Sequence, residues 1–427
     1  MSALDAQQYY LTTDRIESFV KEKEIFAPDA VLTIEDMRRI KESVEGYVNL
    51  IYRIREKNGR SVVLKQVMNI PYFRQLAEEN GEDLGETVTM ATERLRSEIS
   101  VLIFWNTLFP GITPEIFLFE EERDIIIMED LSHLGLLRYE LCKMKRFPHV
   151  GDRMGQFFAR NLFFSSSLSL SDYKKSQMER TFYNPEYATL HDFIFNRCNV
   201  SSLEHDIPEE TLPLRRRLIA DEIVQREIRR LGEKFMQDRE CLIHTDLHSS
   251  NIMVDETKLC IIDTEFAGYG PLCQDIGRLL GSYLLNFFSW YGDNSVSDID
   301  AAYFRAHLLT TIENLFTHFD KEFRALCLYY QKDHYTLRNL DIDAYLNRQF
   351  QDAIASTAVN TVSRISCLGL SYDLERLPEA DRLYPIFLIL DLTEVLLKKY
   401  RNFRTPAEWT HFLRLFAHQN PKSKYHL

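Results

Sequence analysis

Residues 49–55 (NLIYRIR) and 61–67 (SVVLKQV) are rich in β-branched and aliphatic side chains, and Lys57-Asn58-Gly59 between them is a turn signal, so the pattern predicts a β-hairpin. Residues 86–108 then carry Leu95, Ile99, Leu102 and Ile103 at helical spacing, and 116–119 and 124–128 read as two further strands. Sheet, helix and sheet together predict a first lobe over residues 1–130, which opens at 1–24 with a polar-faced helix. From 131 to 427 the period becomes helical, interrupted only by short aliphatic runs at 252–254 and 259–262. The expected class is α+β, with a small β-rich lobe and a large, mostly helical one. The serine-rich stretch 163–172 reads as loop. The most apolar stretches, 279–290 and 384–397, are broken by Ser282 and Asn286 or by Asp391 and Glu394. They fall short of the roughly 18 residues of a membrane span and read as buried helices.

Composition narrows the function classes. Hydrophobic residues make up 45% and charged residues 27% of the 427, which suits a packed globular protein. A net charge of −13, from 51 basic and 64 acidic residues, argues against a nucleic-acid partner, because counterion displacement needs a dense basic surface. The seven cysteines are scattered without CxxC pairs and read as free thiols of a reducing compartment. The first 24 residues lack a basic start followed by an apolar run, so a cytoplasmic protein with a small-molecule substrate and no membrane partner is expected.

The chemistry is concentrated between Cys241 and Gly277. His244-Thr245-Asp246 is followed by Asn251, then by an apolar run, a turn, a second apolar run and Asp263-Thr264-Glu265-Phe266. Phosphoryl transfer from ATP needs an oriented hydroxyl, a proton acceptor and a divalent metal on the phosphates. Asp246 suits the proton acceptor, while Asn251 and Asp263 offer the neutral and charged oxygens that Mg²⁺ prefers. His244 reads as a support for the loop. Glu265 faces the same site as Asp263 if the backbone there is extended, which would make it a second metal or water ligand. Asp275, in Asp275-Ile276-Gly277, stands where a carboxylate either caps a helix or ties down the catalytic loop.

Lys65, in Val62-Val63-Leu64-Lys65, is the candidate clamp for the nucleotide phosphates, with an ion-pair partner expected on the 86–108 helix at Glu98 or, second, Glu93. Gly46 and Asn49 belong to a one-glycine turn that either covers the phosphates or simply joins two strands. The connector 128–131, with Glu129 and Leu131, offers backbone groups to an adenine.

The series 244–254, then Asp263-Thr264-Glu265-Phe266, Tyr269-Gly270-Pro271 and Asp275-Ile276-Gly277, resembles the methylthioribose kinase family of the aminoglycoside/choline kinase-like superfamily. The resemblance implies a bilobal protein-kinase-like fold, Mg²⁺ and ATP as cofactors, and a homodimer. It also implies transfer to the 1-hydroxyl of 5-methylthioribose in methionine salvage. Asp246 then matches the catalytic aspartate, Asp263 and Glu265 the metal-binding acids, and Lys65 the nucleotide lysine. The family holds its sugar with two consecutive arginines; here the stretch reads Ser363-Arg364, so Arg364 is the candidate substrate residue. Asn251 stands where the family has serine. Two other readings stay open: a choline, ethanolamine or aminoglycoside kinase, and a nucleotide-binding homologue without catalysis.

Overall fold

The structure, a computed structural model, describes residues 9–37, 49–57, 59–67, 91–197, 208–332, 335–366 and 370–425. The chain divides into two compact units, Met1–Leu134 with Cys260–Glu265, and Gly135–Leu259 with Phe266–Leu427.

The first unit is built on an antiparallel sheet of β1 (Leu32–Asp36), β2 (Asn49–Glu56), β3 (Ser61–Val67), β4 (Ile116–Glu120) and β5 (Ile125–Glu129), in the order β1-β2-β3-β5-β4. The expected hairpin forms, with Arg55 opposite Ser61. Two departures concern strand ends and edges. Asp124 lies before β5 in a left-handed conformation (φ 51°) and is not part of the strand, and β1 has too short an alternation to stand out in the sequence.

The period of two along β3 and β5 sorts their side chains between two cores. Val62, Leu64, Ile125 and Ile127 pack with Ile16, Phe19 and Val20 of α1 (Thr13–Glu22). Ile126 faces the other way, onto Leu95 and Ile99 of α2 (Ala91–Leu108). Lys65 lies directly opposite Ile126 in the register, so it shares the α2 side of the sheet.

The second unit is helical: α3 (Leu137–Cys142), α4 (His149–Ser165), α5 (Glu222–Gln237), α6 (Leu272–Ser289), α7 (Asp298–Tyr330), α8 (Ile342–Ser366), α9 (Glu379–Lys399) and α10 (Pro406–Gln419). Its short strands pair locally, β6 (Gly135–Leu136) with β8 (Ile252–Val254) and β7 (Cys241–Ile243) with β10 (Gly268–Gly270). The chain leaves this unit along β9 (Leu259–Ile261), whose Ile261 N–H donates to the Ile112 carbonyl at 2.6 Å within the first unit.

Helix α6 is buried along its whole length. It lies so close to α8 that a Cβ placed on Gly277 would come within 2.5 Å of Ser356 Oγ and 2.7 Å of the Ser356 carbonyl carbon. The glycine of Asp275-Ile276-Gly277 is therefore a packing requirement. The serine-rich stretch is loop over residues 166–171, yet Ser165 ends α4 and its buried hydroxyl accepts the Leu242 N–H at 3.0 Å, anchoring β7. Among the described residues no helix is long and apolar enough to cross a membrane.

Candidate active site

The loop that follows β7 is held from below. Asp275, one turn into α6, accepts the His244 N–H on Oδ2 at 2.7 Å and the Thr245 N–H on Oδ1 at 2.8 Å. Of the two roles the sequence offers for Asp275, tying down the loop is the observed one. Thr245 needs the restraint: its φ of 76° is left-handed, a region that β-branched residues rarely enter. Its hydroxyl donates to the Phe266 carbonyl at 2.8 Å, joining the loop to the segment that starts β10. Burial pushes the Asp275 carboxyl up to about 6, against the field of His244 and the two N–H groups.

This frame presents Asp246. Its Oδ1 accepts two hydrogen bonds from one guanidinium, Arg278 Nε at 2.8 Å and Nη2 at 2.6 Å, and its Oδ2 faces His248 Nε2 at 3.5 Å. Burial alone would raise the carboxyl; Arg278, His248 and Arg364 outweigh it and hold Asp246 well below the usual carboxylate range. His248 accepts the Ser250 N–H on Nδ1 at 3.2 Å, and burial pulls its imidazole down to about 4. At neutral pH it is thus the Nε2–H tautomer, with its donor toward Asp246. Asn251, in a short 3₁₀ turn (Ser249–Asn251), donates through Nδ2 to the Asp246 carbonyl at 2.9 Å, an arrangement that commits the amide's nitrogen and not its oxygen. His244 is fully buried and contributes its backbone N–H to Asp275, as a loop support does.

The first unit gathers a second group. Lys65 Nζ lies 2.7 Å from Glu98 Oε1 on α2, 3.5 Å from Asp263 Oδ1 and 3.9 Å from Glu265 Oε2. Glu98, the first-choice partner, is thus the observed one; the Glu93 side chain lies outside the described residues. Burial alone would pull the Lys65 ammonium down, and the three carboxylates outweigh it and raise it. Glu265 does converge with Asp263, though not through extended backbone. Asp263 is left-handed (φ 61°) and Thr264–Phe266 forms a 3₁₀ turn, which swings Glu265 back toward the same lysine.

One ammonium thus lies among three carboxylates, a grouping rich in charged oxygens. The hard oxygens of Asp263 and Glu265 are the donor type that Mg²⁺ takes. Among the described residues no three His, Cys, Asp or Glu side chains form a ready-made metal cage, as expected where phosphates and waters supply most of the ligands.

The remaining expected residues divide. Glu129 ends β5, and its N–H donates to the Glu115 carbonyl at 2.9 Å, so that donor is not presented to an adenine. Leu131 is buried just beyond it. Gly46 and the Asn49 side chain lie outside the described residues. Arg364 is half-buried on α8, close enough for its charge to act on Asp246 and His248. Arg278, the residue in closest contact with Asp246, is absent from the sequence-based candidates. Its only signal is that it is the sole charged residue between Ile276 and Trp290.

Residues 148–313 match the model of the phosphotransferase enzyme family, a span that contains Asp246, Asn251, Asp263, Glu265, Asp275 and Arg278. The chain is 29% identical over 355 residues to a methylthioribose kinase of Citrobacter koseri, covering 82% of this chain and 86% of that one. It is 26% identical over 367 residues to the Bacillus pumilus methylthioribose kinase, covering 85% and 88%. The similarity to these two methylthioribose kinases thus extends over more than four-fifths of the chain. A Plasmodium vivax ethanolamine kinase structure aligns over 92% of this chain and 91% of its own, at 13% identity and a TM-score of 0.46. The fold class is the expected protein-kinase-like α+β one, with a small antiparallel sheet unit and a mostly helical remainder.

Proposed function

We propose that this protein is an ATP-dependent small-molecule kinase that phosphorylates the 1-hydroxyl of 5-methylthioribose or a closely related 5-modified ribose. The observation that carries the reading is Asp246, a carboxylate kept ionised at the head of a loop pinned by Asp275, in a chain similar to methylthioribose kinases over more than four-fifths of its length. Asp246 accepts the hydrogen bond of the acceptor hydroxyl and points its oxygen at the γ-phosphorus. The new oxygen–phosphorus bond forms as the β–γ bridging bond breaks and ADP leaves. The proton passes to Asp246 and then to solvent. A carboxylate this acidic is a poor base for a free alcohol, so its work is orientation, and it takes the proton late, as a loose transition state requires.

Lys65, steadied by Glu98, pairs with the nucleotide phosphates. Asn251 and Asp263, with Glu265, would hold Mg²⁺, which neutralises phosphate charge when bound. Arg364 binds sugar hydroxyls. A homodimer acting in the cytoplasm within methionine salvage completes the proposal. The test is ADP release from the purified protein with Mg-ATP and methylthioribose, ribose, choline or kanamycin. Turnover confined to methylthioribose and near analogues is expected; turnover with choline or kanamycin alone would replace this reading.

A further inference from the structure

Arg138, the second residue of α3, is fully buried, and the chemistry proposed above does not use it. Its Nε–H donates to Ser249 Oγ at 3.3 Å, and the same nitrogen lies 3.5 Å from Asp373 Oδ2. One guanidinium thus reaches two distant segments of the chain. Ser249 opens the 3₁₀ turn that ends at Asn251, and its N–H donates to Ser282 Oγ of α6 at 3.2 Å. Asp373 lies beyond α8, where the Ser371 N–H donates to the Arg364 carbonyl at 3.2 Å and ties this turn to the helix end. Asp373 is buried and held from several sides. Its Oδ1 accepts Asn286 Nδ2–H at 2.7 Å and the Cys142 thiol at 3.6 Å, and its Oδ2 accepts the Ser371 hydroxyl at 2.8 Å. Burial and the Asp373 charge push the Cys142 thiol up, so it stays a donor. Tyr139, next to Arg138, meets Tyr372, next to Asp373, edge to face with ring centroids 4.6 Å apart. The turn after α8 is therefore fixed against α3 by an ion pair and by a ring contact.

We propose that Arg138 is a positioning residue for phosphoryl transfer: through Ser249 and Asp373, its guanidinium holds the Asp246–Asn251 loop in register with the end of α8 that carries Arg364. This role rests on the kinase reading above and deepens it. Arg278 already joins Asp246 to Ser363 on α8, donating Nη1–H to Ser363 Oγ at 2.9 Å. A loop tied to α8 at one point can still pivot about it. Arg138 supplies a second tie, three residues along the loop, and so fixes its orientation as well as its distance. An acceptor that gives one hydroxyl to Asp246 and others to Arg364 senses both, and the rate follows them steeply, because orientation is most of what the protein contributes. A planar guanidinium suits the task, since it can serve a hydroxyl and a carboxylate together, whereas a lysine ammonium is a point charge on a flexible stem.

The test uses the full-length protein with Arg138→Lys, Ser249→Ala, Asp373→Asn and the Ser249→Ala/Asp373→Asn double variant. ADP release is measured with methylthioribose, or with whichever of ribose, choline and kanamycin the wild type turns over. Each single variant is expected to lower kcat/KM for the acceptor by at least about fivefold while KM for ATP stays within about twofold. The double variant should lose little more than the worse single one, because both substitutions break the same bridge. Hydrogen exchange read by mass spectrometry reports the bridge without turnover. In Arg138→Lys, exchange should rise in residues 246–251 and 370–373 together, while α4 and α7 keep their protection. Losses that multiply in the double variant overturn the proposal, as does a KM for ATP that rises as far as the acceptor's. Should Asp373→Asn fail to fold, an Arg138→Lys protein with wild-type kcat/KM and wild-type exchange in both segments overturns it as well. A wild type that turns over no acceptor sinks the kinase reading, and the exchange in the two segments then decides on the bridge alone.

Discussion

Asp275 Oδ1 accepts the backbone N–H of Thr245 at 2.8 Å, and that bond holds Thr245 at a φ of 76° immediately before the candidate proton acceptor. Removing the carboxylate strands two buried N–H groups and releases a strained residue. Asp275→Ala is expected to lower stability by about 2–4 kcal/mol and kcat by on the order of a hundredfold. Urea unfolding and initial rates measure the two effects separately. A variant that keeps wild-type turnover would show that the loop holds its shape without Asp275.

The same carboxyl gives stability a definite pH dependence. Its value is raised to about 6 in the folded protein from an ordinary 3.8. Between those values the folded state keeps a proton that the unfolded state has released, so stability falls as pH rises through this window and levels off above it. The loss attributable to this one group is about 3 kcal/mol. Asp275→Asn removes the titration, so its stability relative to wild type should improve on going from pH 4.5 to pH 7.5. A difference that stays constant between the two pH values rejects the assignment.

Lys65 is buried against Glu98, and both side chains are at most 5% exposed. Glu98→Gln leaves the ammonium with Asp263 and Glu265, so the cost is about 1–3 kcal/mol, below that of a fully orphaned buried charge. With the lysine drawn toward the other two acids, KM for ATP should rise at least about tenfold while the acceptor's KM changes little. Lys65→Met should abolish nucleotide-dependent turnover. An unchanged KM for ATP in Glu98→Gln would mean that α2 does not position the lysine.

Asp263 and Glu265 bring two carboxylates to Lys65, and these are the oxygens proposed to hold Mg²⁺. Asp263→Asn should raise the Mg²⁺ concentration needed for half-maximal ADP release by at least about tenfold, and EDTA should stop turnover in the wild type. A magnesium titration superimposable on that of wild type would remove Asp263 from the metal site.

Gly277→Ala places a methyl group 2.7 Å from a backbone carbon of α8, which cannot turn aside as a side chain could. The expected cost is about 1–3 kcal/mol, seen as a lower urea midpoint at constant m-value. A midpoint within error of wild type would show that the helices separate freely here.

Much of this arrangement is legible in the sequence because it follows from short-range geometry. The alternation in Ser61–Val67 puts Lys65 on the side opposite Val62 and Leu64, where a helix with an inward carboxylate is the natural partner. The pairing of Asp246 with Asn251 follows in the same way, because a short 3₁₀ turn brings Asn251 Nδ2 back to the Asp246 carbonyl. The position of Glu265 does not follow in this way, since it depends on a left-handed Asp263 that no local pattern announces. Arg278 escapes for a different reason. On an apolar helix an arginine reads as a surface residue, and only the packing of α6 against α8 turns it inward to Asp246.

The first unit is discontinuous: it is completed by Cys260–Glu265, so Asp263 follows Lys65 by 198 positions (263 minus 65) in the chain. During synthesis at roughly 5–20 residues per second, Lys65 and Glu98 wait on the order of ten seconds or more for their other two acids. Until then the two have only each other of the four charged groups that meet in the folded protein. Both acids arrive only after Asp246 has been made, so in the nascent chain the proposed proton acceptor precedes the proposed metal ligands.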